Sequence, residues 1–308
     1  MKVGVISNND LCVPLLYFLH SNKAEVDLYF GASGVIDPKR EDVPRFCNNY
    51  KISCSDQTKK SESVYQWLDQ IEPDLLFVIG HRQKIDTQKT KVKFGMYNIH
   101  FGKLPQYRGS SPLFWQMKNN EPTLGLCIHG LTEEMDAGPV YWSKVIRNEE
   151  YFSHNYVQYL FSNLVLEGVN EILLRISDHS FQPIAQDESL ATWYARPSLK
   201  DVLIRWDIMS AAGICSLVRA CNSWNAGAIT LYQGMEMKIV DASYAVNAST
   251  SSALPGTITS ITESIKVSST NGYEVSIHYL SLNSIPFAGR QAKYYGIIEG
   301  ERLTYHLD

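Results

Sequence analysis

The sequence predicts an α/β protein in which a Rossmann-like domain with a parallel sheet precedes a small OB-like β-barrel domain. Three observations support this prediction. Strand-like and helix-like segments alternate over residues 1–80, short strand-like segments crowd the chain after residue 200, and 308 residues exceed the common size of one domain. We place the two domains at residues 1–200 and 201–308.

The first domain is predicted from short apolar runs, typical of buried strands, and from apolar residues at helical spacing. In chain order the predicted elements are strand Val3–Ile6, helix Leu11–Leu19, strand Val26–Phe30, helix Ser61–Ile71, strand Asp74–Gly80, strands Gly125–His129 and Val140–Val145, and helix Tyr151–Ile176. In parallel sheets of this kind, ligands bind beyond the carboxyl ends of the strands, where the strand order reverses. We therefore expect the site just after Ile79 and around the later strands.

The second domain is predicted as one helix followed by five strands that Gly and Asn turns separate. These are helix Ile204–Cys221 and strands Ala228–Tyr232, Glu236–Ile239, Gly256–Ile261, Ser264–Ser268 and Tyr273–Leu282. Short strands at close spacing indicate a small barrel, of which the five-stranded oligonucleotide/oligosaccharide-binding type is one.

Composition limits the classes of function. The net charge is -4 and the pI about 6.1, whereas a broad nucleic-acid footprint needs a clear basic excess. No apolar run approaches the roughly 20 residues that cross a bilayer, and Met1–Ser7 is typical of a first strand rather than a signal peptide. The six cysteines are scattered without a metal-binding pattern. We expect a cytoplasmic protein with reduced thiols, no membrane partner and no metal.

The chemistry-bearing residues are concentrated between residues 98 and 139. Asn98 and His100 are two apart, so on a strand they face the same side. Asp136 follows at a predicted turn, from which its carboxylate could reach the imidazole. An amide donor, an imidazole and a carboxylate suit acyl transfer to an amine: one stabilises the oxyanion, one moves the proton and one orients the imidazole. Residue types alone leave a structural role for this Asn-x-His pair open.

The surrounding motif resembles the family of 10-formyltetrahydrofolate-dependent formyltransferases. The resemblance rests on Asn98-Ile99-His100, Leu104-Pro105, Arg108-Gly109 and, 36 residues after the histidine, Asp136-Ala137-Gly138. It continues in Trp193–Pro197 and Pro255–Ile258, which look like the joining segment and C-terminal domain of methionyl-tRNA formyltransferase. The resemblance implies that Asn98, His100 and Asp136 are catalytic and that tetrahydrofolate is the product of the donor.

The same resemblance implies where the ligands bind. The folate is expected to lie between the segment that follows the predicted strand Asp74–Gly80 and a second wall near residue 131. A nucleotide sugar is expected beside the catalytic trio, where a basic side chain and hydroxyls could meet a diphosphate. The expected folate-binding residues are His81, Arg82, Gln83, Lys84, Ile85, Leu131 and Glu134, and the expected substrate-binding residues are Tyr107, Arg108, Gly109 and Ser110.

The amine acceptor is less well defined. Residues 204–308 contain seven Lys and Arg against eight Asp and Glu, which disfavours tRNA, because Lys and Arg neutralise phosphates in such complexes. We expect a dTDP- or UDP-linked amino sugar, with a product destined for a surface polysaccharide such as lipopolysaccharide. The alternatives are a methionyl-tRNA formyltransferase, a natural-product acceptor, formyl-folate hydrolysis and a non-catalytic folate-binding protein. A homodimer is possible.

Overall fold

The computed structural model describes residues 1–32, 40–58, 62–90, 92–176, 182–221, 226–245 and 250–305. The chain divides into two compact units. The first comprises Met1–Pro112, Gly125–Ile146 and Gln158–Tyr194, and the second comprises Leu113–Leu124, Arg147–Val157 and Ala195–Asp308. The predicted domain limits at residues 1–200 and 201–308 stay a prediction.

The chain up to residue 194 contributes nine strands and five helices to the described structure. The strands are β1 (Lys2–Ser7), β2 (Glu25–Phe30), β3 (Ser53–Asp56), β4 (Leu75–Ile79), β5 (Met96–His100), β6 (Arg108–Gly109), β7 (Thr123–Gly130), β8 (Val140–Arg147) and β9 (Trp193–Tyr194). The helices are α1 (Val13–Ser21), α2 (Asp42–Tyr50), α3 (Val64–Ile71), α4 (Pro112–Lys118) and α5 (His154–Arg175).

The first sheet has the strand order β3-β2-β1-β4-β5-β7-β8, with β3 to β5 parallel and β7 antiparallel to β5. The predicted parallel sheet is confirmed, with an antiparallel extension at one side. Successive strands run outward from β1 to β2 and β3, and then from β4 to β5 on the other side. The strand order therefore reverses between β1 and β4, so a crevice for a ligand lies at their carboxyl ends.

Local sequence explains the elements that build this crevice. All five residues of β4 are buried, as an apolar strand covered on both faces requires. Helix α3 begins after Ser63, whose hydroxyl accepts from the amide of Gln66 while the Gln66 side chain accepts from Ser63. The predicted helix Ser61–Ile71 thus begins at Val64, and Ser61 lies outside the described residues.

The chain after residue 195 contributes two helices and seven strands. They are α6 (Leu199–Val202), α7 (Ala211–Cys221), β10 (Ala228–Tyr232), β11 (Met235–Tyr244), β12 (Ile258–Ile261), β13 (Ile265–Ser268), β14 (Glu274–Leu282), β15 (Ile285–Ala288) and β16 (Leu303–Thr304). The sheet order is β12-β13-β14-β11-β10-β16, with β15 paired to β14. A single antiparallel bridge between Thr257 and Arg302 joins the two ends. The curled, antiparallel sheet has the form of a half-barrel, with seven strands where five were predicted.

The structure differs from the prediction in the start of one helix and in several elements that were not predicted. The helix predicted over Ile204–Cys221 is confirmed only from Ala211, because the amide of Ile204 donates to the carbonyl of Ile229 and so belongs to a sheet contact. Helices α2, α4 and α6 and strands β3, β6, β9, β15 and β16 were not predicted, and most of them are short. No helix among the described residues is long and apolar enough to cross a membrane.

Candidate active site

The structure brings Asn98, His100 and Asp136 together. Asn98 and His100 lie on β5 two residues apart, and Asp136 lies in the loop between β7 and β8. The Asn98 amide nitrogen is 3.3 Å from Oδ1 of Asp136, and Nδ1 of His100 is 3.7 Å from Oδ2 of the same carboxylate. One carboxylate therefore faces both the amide and the imidazole.

The Asp136 loop is held by its backbone. Asp136 has a left-handed φ of 54°, and the Gly109 amide donates to its Oδ2 over 2.9 Å. The side-chain amide of Gln186 donates to the carbonyls of Asp136 and Gly138, at 2.8 and 2.6 Å. A Cβ on Gly138 would overlap the carbonyl of Gly130. Glycine at position 138 and the Gln186 amide thus fix the direction of the carboxylate.

His100 has a defined tautomer. Its Nε2 lies 2.8 Å from the carbonyl oxygen of Tyr107, which can only accept, so Nε2 carries the proton of the neutral ring. Nδ1 is then the bare nitrogen and faces Asp136. Burial lowers the pKa of His100, Asp136 opposes that effect and His129 adds to it. The resting imidazole is neutral at pH 7, with an unprotonated nitrogen beside a carboxylate.

Asp136 is ionised. Burial alone would raise its pKa, but the neighbouring His100 imidazole, the His129 ring and the Gly109 amide together lower the pKa to about 2. A stable carboxylate beside a neutral imidazole favours the imidazolium that forms when Nδ1 takes up a proton.

A fourth side chain, His129, also belongs to this cluster. It lies on β7 opposite Asn98, with its Nε2 3.1 Å from the Asn98 amide nitrogen and 3.4 Å from Oδ1 of Asp136. His129 is not among the site residues predicted from the sequence. The sequence feature that could have indicated its role is a histidine inside an otherwise apolar predicted strand, seven residues before Asp136.

Arg108 is placed differently from the sequence expectation. Its side chain is fully buried, its guanidinium donates to both carboxylate oxygens of Glu188 at 2.6 and 2.8 Å, and it donates to Oε1 of Gln186. The prediction that Arg108 meets a diphosphate does not fit this arrangement, because its donors already serve internal partners. Arg108 supports the Asp136 loop through Gln186 instead.

The other expected substrate-binding residues differ in whether a ligand can reach them. The Tyr107 ring is buried and stacked on Tyr194, with ring centroids 5.0 Å apart, so it is not open to a ligand. Gly109 acts through its amide on Asp136. Ser110 is exposed, and its backbone amide donates to Tyr194.

The residues expected to bind folate also separate into groups. His81, Arg82 and Gln83 line a cavity of about 320 Å³ at the carboxyl ends of the parallel strands, together with Asn8, Tyr29, Gly31, Ala32 and Gln57. Ile85 belongs to a buried hydrophobic cluster against which Leu131 packs. Lys84 and Glu134 are exposed.

His81 gives the cavity a fixed acceptor. Its Nδ1 lies 2.6 Å from the Asn8 side-chain oxygen, so Nδ1 is the protonated nitrogen. The Nε2 atom is buried and has no partner among the described residues. Burial lowers the pKa of His81 to about 4, so the ring is neutral at pH 7 and Nε2 can accept a hydrogen bond.

One group of side chains in the described ranges has the spacing of metal ligands: His100, His129 and Asp136, whose ligand atoms lie within 4.8 Å of one another. The Asn98 amide nitrogen sits beside two of these atoms and donates to them. We therefore assign the cluster to hydrogen bonding and proton transfer.

The fold has solved counterparts. An N-formyltransferase from Helicobacter canadensis, crystallised with folinic acid and dTDP-3-aminofucose, is 16% identical with a TM-score of 0.71 and covers 90% of this chain and 98% of that one. HypX from Aquifex aeolicus, in complex with tetrahydrofolic acid, is 19% identical with a TM-score of 0.67 over 99% of this chain. The chain spans about half of HypX, 51% of its length. At these identities the likeness shows the fold.

Sequence relatives are closer. The methionyl-tRNA formyltransferase of Malacoplasma penetrans (strain HF-2) is 29% identical over 222 residues, which are 72% of this chain and 69% of the relative. The family model described as formyl transferase matches residues 29–151, and the model of the formyl transferase C-terminal domain matches residues 198–291. Together the two models cover more than half of the sequence, in the order the family requires. The chain belongs to the formyltransferase family.

Proposed function

We propose that the chain is an N-formyltransferase that moves the formyl group of 10-formyltetrahydrofolate to the amine of a nucleotide-linked amino sugar. The observation that carries the transfer chemistry is the bare Nδ1 of His100, 3.7 Å from the ionised Asp136 and on the same strand face as Asn98. Family membership and the solved counterparts with folate ligands support the donor.

The proposed roles follow from the protonation states. 10-Formyltetrahydrofolate supplies the activated formyl group. As the amine nitrogen attacks, the formyl oxygen gains negative charge, which the Asn98 amide stabilises as a hydrogen-bond donor. Nδ1 of His100 accepts the proton that the amine nitrogen loses, and Asp136 stabilises the resulting imidazolium. The same proton then passes from Nδ1 to the departing folate nitrogen, so His100 ends neutral.

The donor is proposed to bind beside Leu131, a partly buried side chain that packs against the hydrophobic cluster containing Ile85. A partly exposed apolar side chain suits the face of a flat heteroaromatic ring, which needs apolar contact. Strand β5 carries Asn98 and adjoins β4, and Val78 of β4 is paired with Asn98. Residues 81–85 follow β4 in the chain, so the start of this segment lies close to Asn98.

The acceptor is proposed in the cavity lined by His81, Arg82 and Gln83, three residues that the family resemblance had assigned to the folate. Its volume of about 320 Å³ is at the lower end of the range for small-molecule sites. The buried Nε2 of His81 accepts from a hydroxyl or N–H group, and Arg82 brings positive charge to the rim. Sugar hydroxyls and a diphosphate offer the matching groups.

Methionyl-tRNA is the second candidate acceptor, because the sequence relative from Malacoplasma penetrans is named a methionyl-tRNA formyltransferase. The charge balance favours the sugar nucleotide. Residues 204–308 carry no excess of Lys and Arg over Asp and Glu, whereas phosphate contacts dominate the binding of a polyanion.

The test is a transfer assay with both acceptor classes. The protein is incubated with 10-formyltetrahydrofolate and either dTDP- and UDP-linked 3-amino or 4-amino sugars or charged Met-tRNA, and formylated products are identified by mass spectrometry. We expect formylation of an amino sugar. Formylation of Met-tRNA alone would replace the sugar assignment, and formylation of neither would remove both.

A further inference from the structure

We propose that His129 is a positioning residue that fixes the orientation of the Asn98 side-chain amide. This inference rests on the proposed formyl transfer and adds a residue outside the trio of Asn98, His100 and Asp136. Its basis is the hydrogen-bond geometry around the His129 ring.

A hydrogen bond at the end of β7 sets the tautomer of His129. Nδ1 lies 2.9 Å from the carbonyl oxygen of Gly130, which can only accept a hydrogen bond. In the neutral ring the single proton is therefore on Nδ1, and Nε2 is a bare acceptor. The ring is almost fully buried, with 1% of its side chain exposed, so water does not compete for that nitrogen.

The bare Nε2 determines which end of the Asn98 amide faces it. The two ends of an asparagine amide are nearly equal in size, but one donates and the other accepts. A bare nitrogen 3.1 Å away attracts the NH2 end and repels the oxygen. His129 thus holds the NH2 group between itself and Asp136, whose Oδ1 is 3.3 Å from the same nitrogen.

The second amide hydrogen remains adjustable. The 3.3 Å contact with Asp136 is long for a hydrogen bond to a carboxylate, whereas the bond to His129 anchors the first hydrogen. An oxyanion arriving beside Asp136 can accept the second hydrogen without rotation of the amide. His129 therefore prepares the Asn98 donor before the reaction begins.

The protonation state of His129 matters for the same reason. The ionisable groups facing the ring are Asp136, at 3.4 Å, and His100, with ring centroids 6.0 Å apart. A proton on Nε2 would be attracted by Asp136 and would confront the Asn98 NH2 group with a second donor. The amide would then turn its oxygen to His129 and its NH2 group away, so the proposed device needs a neutral ring.

A double-mutant cycle distinguishes a role of His129 that acts through Asn98 from a general contribution of His129 to the fold. His129→Leu removes the acceptor at similar volume, and we expect turnover to fall roughly 10-fold, the worth of one hydrogen bond, with the KM for folate changed by less than about twofold. In the Asn98→Ala background the same substitution should have no further effect. An equal fall in both backgrounds would overturn the proposal.

His129→Gln is the conservative variant, because its side-chain oxygen can accept at the position of Nε2. It should recover most of the turnover lost in His129→Leu. The matched control is His278→Gln, on the exposed face of β14, where the histidine contacts Ser243, and it should leave turnover unchanged. Equal loss in the Gln and Leu variants would contradict an acceptor role.

A spectroscopic measurement tests the proposal without any acceptor substrate. Two-bond ¹H–¹⁵N correlation spectra of ¹⁵N-histidine-labelled protein distinguish protonated from bare ring nitrogens, and His129→Gln assigns the signal. We expect a protonated Nδ1 and a bare Nε2 at pH 7. The opposite tautomer, or a doubly protonated ring, would overturn the proposal even if formyl transfer is confirmed. A wild-type protein inactive with both acceptor classes would instead count against the proposed function.

Discussion

Nε2 of His100 lies 2.8 Å from the carbonyl oxygen of Tyr107, and this contact leaves Nδ1 as the nitrogen that faces Asp136. The buried backbone of the Tyr107 loop thus decides which nitrogen acts as the base. The proposed chemistry requires this nitrogen to be unprotonated before the amine attacks. The rate of formyl transfer should therefore depend on pH through the protonation of His100.

The pH dependence of kcat/KM tests that link. The neutral form of His100 is the active one, so the rate should rise with pH through the pKa of His100, which burial holds below its usual value of 6.5. Asp136 raises that pKa, and Asp136→Asn should therefore move the low-pH arm to still lower pH. The maximal rate should also fall by about 10² or more. An unmoved low-pH arm would contradict the pairing of His100 with Asp136.

The trio itself is tested by truncation. Asn98→Ala and His100→Ala should each lower turnover by about 10² or more, because one loses the oxyanion donor and the other the base. Circular dichroism and thermal unfolding check that both variants stay folded. Near-wild-type turnover in either variant would remove that residue from the mechanism.

Gly138→Ala tests the shape of the Asp136 loop. The added Cβ would overlap the carbonyl of Gly130, so the loop must shift and carry the carboxylate with it. We expect at least about 10-fold lower turnover, since displacements near 1 Å are costly in a preorganised site. Gly213→Ala in α7 is the control, because a Cβ there meets only ordinary contacts, at 3.4 Å or more. Equal activity of the two variants would argue against a rigid loop.

Arg108→Ala tests the internal role of the guanidinium. We expect the free energy of unfolding to fall by at least about 2 kcal/mol, because Gln186 loses its donors and a void replaces a fully buried side chain. Arg147→Ala, whose side chain is 82% exposed, should change it by less than about 0.5 kcal/mol. Urea titration measures both. A stable Arg108→Ala protein with weakened acceptor binding would restore the original expectation of a diphosphate contact.

His81 makes stability depend on pH. Its folded pKa is about 4 against 6.5 in an unfolded chain, so the unfolded state takes up a proton first as the pH falls. Stability is lost between pH 6.5 and pH 4, by roughly 3 kcal/mol in total. His81→Gln should flatten that part of the curve in urea titrations at pH 7, 5.5 and 4.5. Parallel curves for the two proteins would contradict a half-buried His81 that is neutral at pH 7.

The sequence contained enough information to predict the sheet and the trio. Strand β4 is an uninterrupted apolar run, and Asn98 and His100 share a face because strand side chains alternate. Asp136 could be placed by its motif. These features depend on short stretches of chain, where spacing alone determines which side chains meet.

The features that the sequence did not reveal depend on pairings between distant parts of the chain. Arg108 meets Glu188 and Gln186 across about 80 residues of chain, through the pairing of β6 with β9, two short strands that were not predicted. Arginine beside a glycine loop is equally typical of a phosphate contact and of a buried ion pair. His129 faces Asn98 through the register of β5 and β7, which local periodicity does not determine.

Formyl transfer itself is measured with 10-formyltetrahydrofolate labelled with ¹³C in the formyl group. The wild-type protein, His100→Ala and Asp136→Asn are each incubated with the donor and amino-sugar nucleotides, with product followed by NMR and mass spectrometry. We expect label in an amide on the sugar for the wild type, and at least about 10²-fold less for both variants. Label that stays in folate, is released as formate or appears only on Met-tRNA would contradict it.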